Sequence, residues 1–185
     1  RPIRYLAKAP LFNYFLLGPL IRGSGAIPVR RRQDETGAEI DNSNMFAAAR
    51  EALASGSALG VFPEGISHDE PSMTALKTGA ARIALGSSAE GTRAIRIIPV
   101  GLNYRAKQTF RSRALAMVGD DVVWADLEGR PENDADAVRE LTARIARAIL
   151  DVTVNLERWE DVALIEAAEA IWSAEFGRTN SEDRH

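Results

Sequence analysis

Short apolar runs along the chain predict its strands. Such runs occupy residues 26–30 (AIPVR), 58–62 and 95–102, and two shorter ones occupy residues 114–118 and 122–124. Runs of this length, bounded by glycine, proline or polar residues, are typical of strands that lie in a protein core. The runs at residues 58–62 and 95–102 are therefore expected to be buried strands, and residues 26–30 a short strand.

Helical spacing fills the intervals between these runs. The segment MFAAAREALAS begins after Asn42, Ser43 and Asn44, which can cap a helix, and ends at Gly56. Residues 78–85 form a second helical segment, rich in small side chains that allow close packing. Two amphipathic patterns follow, one through Val138, Leu141, Ile145 and Ile149 and another through Leu164, Ile165, Ala168, Ile171 and Trp172.

This alternation predicts an α/β fold in which helices flank a central mixed sheet. The chain has 185 residues, enough for one domain with a substantial core. We therefore expect a single domain over residues 1–185, in which residues 120–185 form a strand and helical flank. That flank carries no recognisable motif, and packing is its expected role.

Residues 6–21 are apolar, are flanked by arginines, and read as a short helix or helix pair. They could face a membrane, or they could form an ordinary core helix. The longest apolar stretch there, LFNYFLLGPLI, is interrupted by Gly18 and Pro19 and is too short to cross a bilayer.

Composition and charge narrow the possible functions. The chain has no cysteine, and its only histidines are His68 and His185, which excludes cysteine chemistry and a multi-histidine metal site. We expect no cofactor. Residues 1–33 carry seven basic residues and no acid, so a net charge of −3 leaves −10 on the remainder. The basic end indicates an anionic partner such as phosphate groups or a membrane surface, or else a solvated face. Nucleic acid is disfavoured, because the aromatic residues there sit among leucines rather than arginines.

The segment FPEGISHDEPSMTALK, after the run at residues 58–62, concentrates reactive side chains where ligands gather in α/β folds. Pro63 ends the strand because it lacks an N–H. Gly65 permits close approach of a ligand to the backbone. Glu64 could orient a hydroxyl or a cation, and Lys77 could contact a phosphate as a point charge.

His68 and Ser67 have weaker claims to direct catalysis. His68 could act as a general base beside Asp69 and Glu70, but a loop histidine next to acids is more often a surface group or a substrate-binding donor. Ser67 lacks the G-x-S-x-G context of an activated nucleophile. Both are predicted to bind substrate.

Four blocks occur in order over roughly residues 1–105: RYLAKAPLF, GAIPVRRR, FPEGISH with LKTGAARIAL, and IIPVGLNY. Together they resemble the glycerolipid acyltransferase superfamily, which includes lysophosphatidic acid and glycerol-3-phosphate acyltransferases. The SHDEP form of the loop looks most like the branch that acylates glycerol-3-phosphate or dihydroxyacetone phosphate. The resemblance implies the acyltransferase-like form of the α/β fold.

The resemblance also implies a reaction in which a histidine of an H-x-x-x-x-D motif deprotonates a glycerol hydroxyl. The hydroxyl oxygen then attacks the thioester of acyl-CoA or an acyl-carrier protein. That motif is absent here, so no residue of this chain is assigned as catalytic, and the histidine–aspartate pair is expected upstream of Arg1. The implied substrate-binding residues are Lys8, Arg30, Arg31, Glu64, Gly65, Ser67, His68 and Lys77.

One departure concerns the E-G-T-R-S block of the family, which reads Glu64-Gly65-Ile66-Ser67-His68 in this chain. Its arginine is missing, so phosphate binding must depend on the other basic residues. The resemblance further implies a phosphorylated glycerol acceptor and a peripheral position on the cytoplasmic face of a membrane. The alternative is a non-catalytic relative that binds lipid or phosphate.

Overall fold

A computed structural model describes residues 3–30, 42–104, 108–112, 114–156, 158, 161 and 167–168. Its strands are β1 (Ile3–Lys8), β2 (Ile27–Val29), β3 (Ala58–Gly60), β4 (Val100–Tyr104) and β5 (Ala114–Val118). Its helices are α1 (Leu17–Gly23), α2 (Ser43–Ala54), α3 (Gly79–Ala89) and α4 (Ala135–Leu150), with 3₁₀ turns at Ala9–Asn13 and Ala125–Leu127.

The first three strands form a parallel sheet in the order β2-β1-β3. The second half of β1 pairs with β2, so that Lys8 lies opposite Val29, and the first half pairs with β3, so that Tyr5 lies opposite Gly60. Because all three strands run in the same direction, the segments that follow them leave from the same edge of the sheet. This edge carries the candidate site.

The strands β4 and β5 form a separate antiparallel pair, from Val100 opposite Val118 to Tyr104 opposite Ala114. The predicted α/β class is confirmed. In the described residues, however, the parallel strands β1 to β3 and the antiparallel strands β4 and β5 form two separate sheets instead of the predicted single mixed sheet.

Three of the predicted strands are shorter than expected or do not form. The run at residues 95–102 becomes a strand only at Val100, and residues 122–124 form none. Isolated hydrogen bonds from Val122 N to Ile97 O and from Gly119 N to Pro99 O join these segments without making a ladder. The strand predicted at residues 58–62 ends at Gly60 and is not buried as expected, since Ala58 and Phe62 are exposed. The chain turns directly after it, with Gly65 N donating to Phe62 O.

The helix prediction for residues 6–21 is wrong at its start, because residues 6–8 belong to β1. Pairing with strands on both sides decides that conformation, and local spacing does not contain this information. The core-helix alternative is also wrong, since only Phe12 and Gly18 are buried in this segment.

Helix α3 lies between α2 and α4 and is buried on several faces. Its Ala81, Ala84 and Leu85 belong to one core, and its Ile83 belongs to a second. The first, here called the α4 core, also contains Val122, Trp124, Leu127, Ala137, Val138, Leu141 and Ile145. The second, the α2 core, contains Ile27, Met45, Ala49 and Ala52. Small side chains on α3 permit this close packing, as predicted for residues 78–85.

Within the described residues of the flank, helix α4 packs in the α4 core. In α4 the predicted positions Val138, Leu141 and Ile145 are buried, and Asp134 caps the helix by accepting hydrogen bonds from the N–H groups of Asp136 and Ala137. The predicted second helix, through residues 164–172, falls almost wholly outside the described residues. A single domain over residues 1–185 remains a prediction.

After α4 the chain packs tightly against β4. A Cβ on Gly101 would lie 1.8 Å from the carbonyl oxygen of Val152, so only glycine allows this approach. Asn103 holds the same segment, since its Nδ2 donates to Val152 O at 3.4 Å and its Oδ1 accepts from Val154 N at 2.9 Å.

Candidate substrate-binding site

Three of the predicted site segments leave the sheet at one edge. Lys8 ends β1, Arg30 directly follows β2, and the loop of residues 61–78, here called the site loop, follows β3. Lys8 and Arg30 are both exposed, and the register places Lys8 opposite Val29, the residue before Arg30. The parallel sheet thus brings to one edge residues that are far apart in sequence. Arg31 lies outside the described residues.

The Glu64 carboxylate organises the site loop. Its Oε2 atom accepts hydrogen bonds from the N–H of Thr74 at 2.9 Å, from Thr74 Oγ1 at 2.9 Å and from His68 Nε2 at 2.5 Å. Charge-assisted bonds of this kind are about twice as strong as neutral ones. Glu64 therefore closes the loop between residues 64 and 74.

The contacts of His68 define its tautomer. Its Nδ1 accepts a hydrogen bond from the N–H of Glu70 at 3.2 Å, so in the neutral ring the proton is on Nε2, which donates to Glu64. Both ring nitrogens are thus engaged within the loop. In this arrangement His68 helps to hold the Glu64 carboxylate. It supports neither a role of His68 as general base nor its predicted role as a hydrogen-bond donor to substrate.

Hydrogen bonding keeps Glu64 ionised. Burial alone raises the pKa of this carboxyl, but the bonds from the Thr74 backbone, His68 and the Thr74 hydroxyl outweigh it. The pKa is therefore lowered from its usual value of 4.5. No hydrogen bond to Oε1 is seen among the described residues, and the side chain keeps 30% of its exposure. Glu64 thus presents one charged acceptor oxygen to solvent.

Gly65 and Lys77 lie in contact in the site loop. Gly65 has φ +71°, which favours glycine, and a Cβ there would lie 3.1 Å from Lys77 Cγ. The N–H of Lys77 donates to Pro63 O at 2.8 Å, which joins the two ends of the loop. Ser67 and Lys77 are exposed, so the predicted polar groups face outward.

A cleft of about 570 Å³ opens beside β2. Its polar lining is Asn13, Arg22, Arg30, Asn42 and Asn44, around an apolar floor that includes Phe12, Ile27 and Met45. The sequence interpretation missed Arg22 as a site residue, although the excess of basic residues in the first 33 positions was a signal. In the structure Arg22 Nη2 donates to Phe12 O at 2.8 Å, which holds the guanidinium at this cleft.

Asn42 was expected to cap α2, but its side chain makes no capping bond. Instead its Oδ1 accepts from Arg30 N at 3.3 Å and its Nδ2 donates to Arg30 O at 3.2 Å. This pair of bonds fixes the backbone of Arg30 at the end of β2. The described residues contain no group of three histidine, cysteine or acidic side chains placed to hold a metal ion.

An exposed apolar surface adjoins the cleft. It consists of Tyr14, Phe15, Leu16, Leu17 and Leu20, here called the α1 patch. Phe15 is 91% exposed, the largest value within the patch. Within the described part of the chain, no helix has both the length and the apolarity needed to span a bilayer.

Comparison with known proteins identifies the class of protein to which this chain belongs. Residues 1–103 match the family model described as Acyltransferase. The chain is 33% identical over 137 residues to glycerol-3-phosphate O-acyltransferase 2 of Saccharomyces cerevisiae, which covers 72% of this chain and 18% of that protein. It is also 33% identical over 144 residues to glycerol-3-phosphate O-acyltransferase 1 of that yeast, covering 75% and 19%.

An uncharacterized acyltransferase of Schizosaccharomyces pombe is 31% identical over 139 residues, covering 72% of this chain and 20% of that protein. No solved structure shows significant similarity. The chain belongs to the acyltransferase family, and the resemblance to the glycerolipid acyltransferase superfamily is confirmed. It spans about a fifth of the length of the curated relatives that it matches.

The lowered pKa of Glu64 predicts a pH-dependent contribution to stability. A carboxyl whose folded-state pKa lies below 4.5 stabilises the fold above that pH and loses this effect as the pH falls through the folded value. Urea unfolding at neutral pH should therefore show a clear loss of stability in Glu64→Gln, and the loss should shrink at about pH 3. An equal loss at both pH values would contradict the ionised hydrogen-bonded carboxylate.

Proposed function

We propose that the protein is an O-acyltransferase that moves a fatty acyl group from an acyl thioester to a hydroxyl of glycerol-3-phosphate in phospholipid synthesis. The observation that carries the proposal is that Arg30 and the site loop both follow the carboxyl ends of strands in one parallel sheet. Family membership and the two yeast relatives, both named for this activity, support it.

In this proposal the cleft beside β2 receives the acceptor phosphate. Arg30 and Arg22 line it, and guanidinium groups bind phosphate through paired N–H donors. Among the described residues that line the cleft none is acidic and two are arginines, a charge that is complementary to an anion. Lys8 and Lys77 add exposed cations at the same edge.

Glu64 has the complementary task of orienting the acceptor hydroxyl. Its Oε1 faces solvent, while Oε2 is fixed by Thr74 and His68. An ionised carboxylate oxygen accepts a hydrogen bond from a hydroxyl and so directs the attacking oxygen lone pair away from itself. Holding the acceptor at both its phosphate and its hydroxyl in this way lowers the entropic cost of the attack.

The chemical step forms an ester bond between the hydroxyl oxygen and the thioester carbonyl carbon, and it breaks the carbon–sulfur bond. The hydroxyl proton passes to a general base, and the thiol leaves. His68, the only histidine among the described residues, has both ring nitrogens engaged. The proposal therefore assigns the base to the histidine–aspartate pair that the family resemblance implies upstream of Arg1.

The assay has to compare several donors and acceptors. Acyl-CoA and acyl-carrier protein are the candidate donors, and dihydroxyacetone phosphate and lysophosphatidic acid are the other candidate acceptors. The competing function is a non-catalytic relative that binds lipid or phosphate. The hydrogen bonds made by both ring nitrogens of His68 favour this non-catalytic function. Binding of the acceptor without turnover would establish it.

Thiol release from palmitoyl-CoA in the presence of glycerol-3-phosphate tests the proposal. We expect activity in a chain extended upstream by about forty residues, since that length would include the implied H-x-x-x-x-D motif. In that protein Arg30→Ala should raise the KM for glycerol-3-phosphate at least tenfold, because a charge-assisted bond is worth about 1.5–3 kcal/mol. The KM for palmitoyl-CoA should not change.

Arg139→Ala is the matched control, because Arg139 is an exposed arginine on α4. It should leave both constants at wild-type values. Binding of glycerol-3-phosphate without thiol release from any donor would establish the non-catalytic alternative. An unchanged KM for glycerol-3-phosphate in Arg30→Ala would show that the acceptor phosphate does not bind in this cleft.

We further propose that the α1 patch docks on the cytoplasmic face of an anionic membrane. Five large apolar side chains are exposed together, and no acidic residue occurs within residues 3–30. Burial of apolar surface and attraction to anionic lipid act together in peripheral binding. Phe62 and Ile66 are also exposed, and they belong to the site loop, which leaves the sheet at the same edge. Docking of the α1 patch would therefore bring the site loop close to the lipid.

Vesicle co-sedimentation tests this docking surface. Phe15→Ser should reduce binding to vesicles of phosphatidylcholine and phosphatidylserine by about tenfold, because a buried phenylalanine contributes about 1.5–3 kcal/mol. Phe110→Ser is the control, since Phe110 is equally exposed, at 92% compared with 91% for Phe15, but lies outside the patch. Equal losses in the two variants would contradict a specific docking surface.

A further inference from the structure

The segment after α4 contacts the site loop through Asn155. Its side-chain Oδ1 accepts a hydrogen bond from the N–H of Met73 at 2.8 Å, across 82 positions of sequence. The adjacent N–H of Leu156 donates to the carbonyl oxygen of Pro71 at 3.0 Å. Two consecutive residues of this segment therefore hold the part of the loop that immediately precedes Thr74.

The Asn155 side chain is itself held in place. Its Nδ2 donates to Thr153 O at 3.1 Å and to Thr153 Oγ1 at 2.9 Å. The Thr153 hydroxyl in turn donates to Ile149 O at 2.8 Å, in the last turn of α4. These bonds orient the amide so that its oxygen faces Met73, and the Asn155 side chain is half-buried.

The chain of bonds continues to the site carboxylate. Met73 is followed by Thr74, whose N–H and hydroxyl both donate to Glu64 Oε2 at 2.9 Å. A displacement of residue 73 therefore moves two of the three donors that fix Glu64. The third donor, His68 Nε2, also belongs to the site loop.

We propose that Asn155 is a positioning residue. Through Met73 and Thr74 it holds the Glu64 carboxylate in the position needed to contact the acceptor hydroxyl. The inference rests on the proposed function for its kinetic effect. It assigns a task in the site to the flank after residue 120, for which the sequence offered no motif. Groups that support a reacting side chain from behind commonly control its orientation without touching substrate.

Hydrogen exchange tests the positioning role without any need for turnover. In the full-length protein, Asn155→Ala should accelerate exchange of the Met73 and Thr74 amides about tenfold, because their local opening becomes easier. Asn155→Asp keeps an acceptor oxygen for the Met73 N–H but loses the Nδ2 donor to Thr153, so it should accelerate exchange less than Asn155→Ala does. Asn133→Ala is the control, since Asn133 is an exposed asparagine in the turn before α4.

Kinetics provide the second readout. Asn155→Ala should lower kcat/KM for glycerol-3-phosphate about tenfold, as misplaced reacting groups do, while the KM for palmitoyl-CoA stays constant. Unchanged exchange at Met73 and Thr74 in Asn155→Ala would overturn the inference, as would an equal acceleration in the control Asn133→Ala. If the wild-type protein transfers no acyl group, the proposed function fails, and the exchange result still decides whether Asn155 holds the loop.

Discussion

The packing of α3 is the constraint on which the rest of the structure depends. This helix contributes to both cores, with Ala81, Ala84 and Leu85 on the α4 side and Ile83 on the α2 side. A helix packed on several faces needs small side chains, because neighbouring backbones must approach closely and interiors leave few voids. Its first residue, Gly79, comes directly after the site loop. Burial of α3 therefore fixes one end of the loop, and β3 fixes the other.

The loop between these two anchors could still adopt many conformations, and Glu64 selects one of them. A carboxylate that accepts three hydrogen bonds on one oxygen organises the residues around it and leaves its second oxygen for a ligand. The same interactions lower the pKa of Glu64, so the structural role and the proposed binding role both favour the ionised form. Asn155 connects this local arrangement to α4, and thus to the larger core.

The sequence predicted what depends on local periodicity and on motif. Helices α2, α3 and α4 and strand β2 occur where spacing placed them. The motif predicted that Glu64 and Gly65 bind substrate, and this stays a prediction. The spacing missed β1 because Leu6 continues into the apolar residues after Pro10, and only pairing with strands on both sides distinguishes strand from helix.

Contacts between distant residues account for the other differences. Nothing near Asn155 in the sequence indicates Met73, and nothing near Asn42 indicates that its amide fixes Arg30 instead of capping α2. Side-chain hydrogen bonds over such separations follow from tertiary structure and have no local signature. For the same reason the engagement of both nitrogens of His68 could not be read from its acidic neighbours.

The most direct test of this account measures turnover in Glu64→Gln, in the upstream-extended protein, by thiol release from palmitoyl-CoA with glycerol-3-phosphate. Glutamine keeps the shape of the side chain but removes its charge. The account predicts that kcat/KM for the acceptor falls at least a hundredfold, as misplacement of a reacting group does, while the KM for palmitoyl-CoA is unchanged. Turnover at the wild-type level in Glu64→Gln would show that the carboxylate only shapes the loop, and would contradict its role at the acceptor hydroxyl.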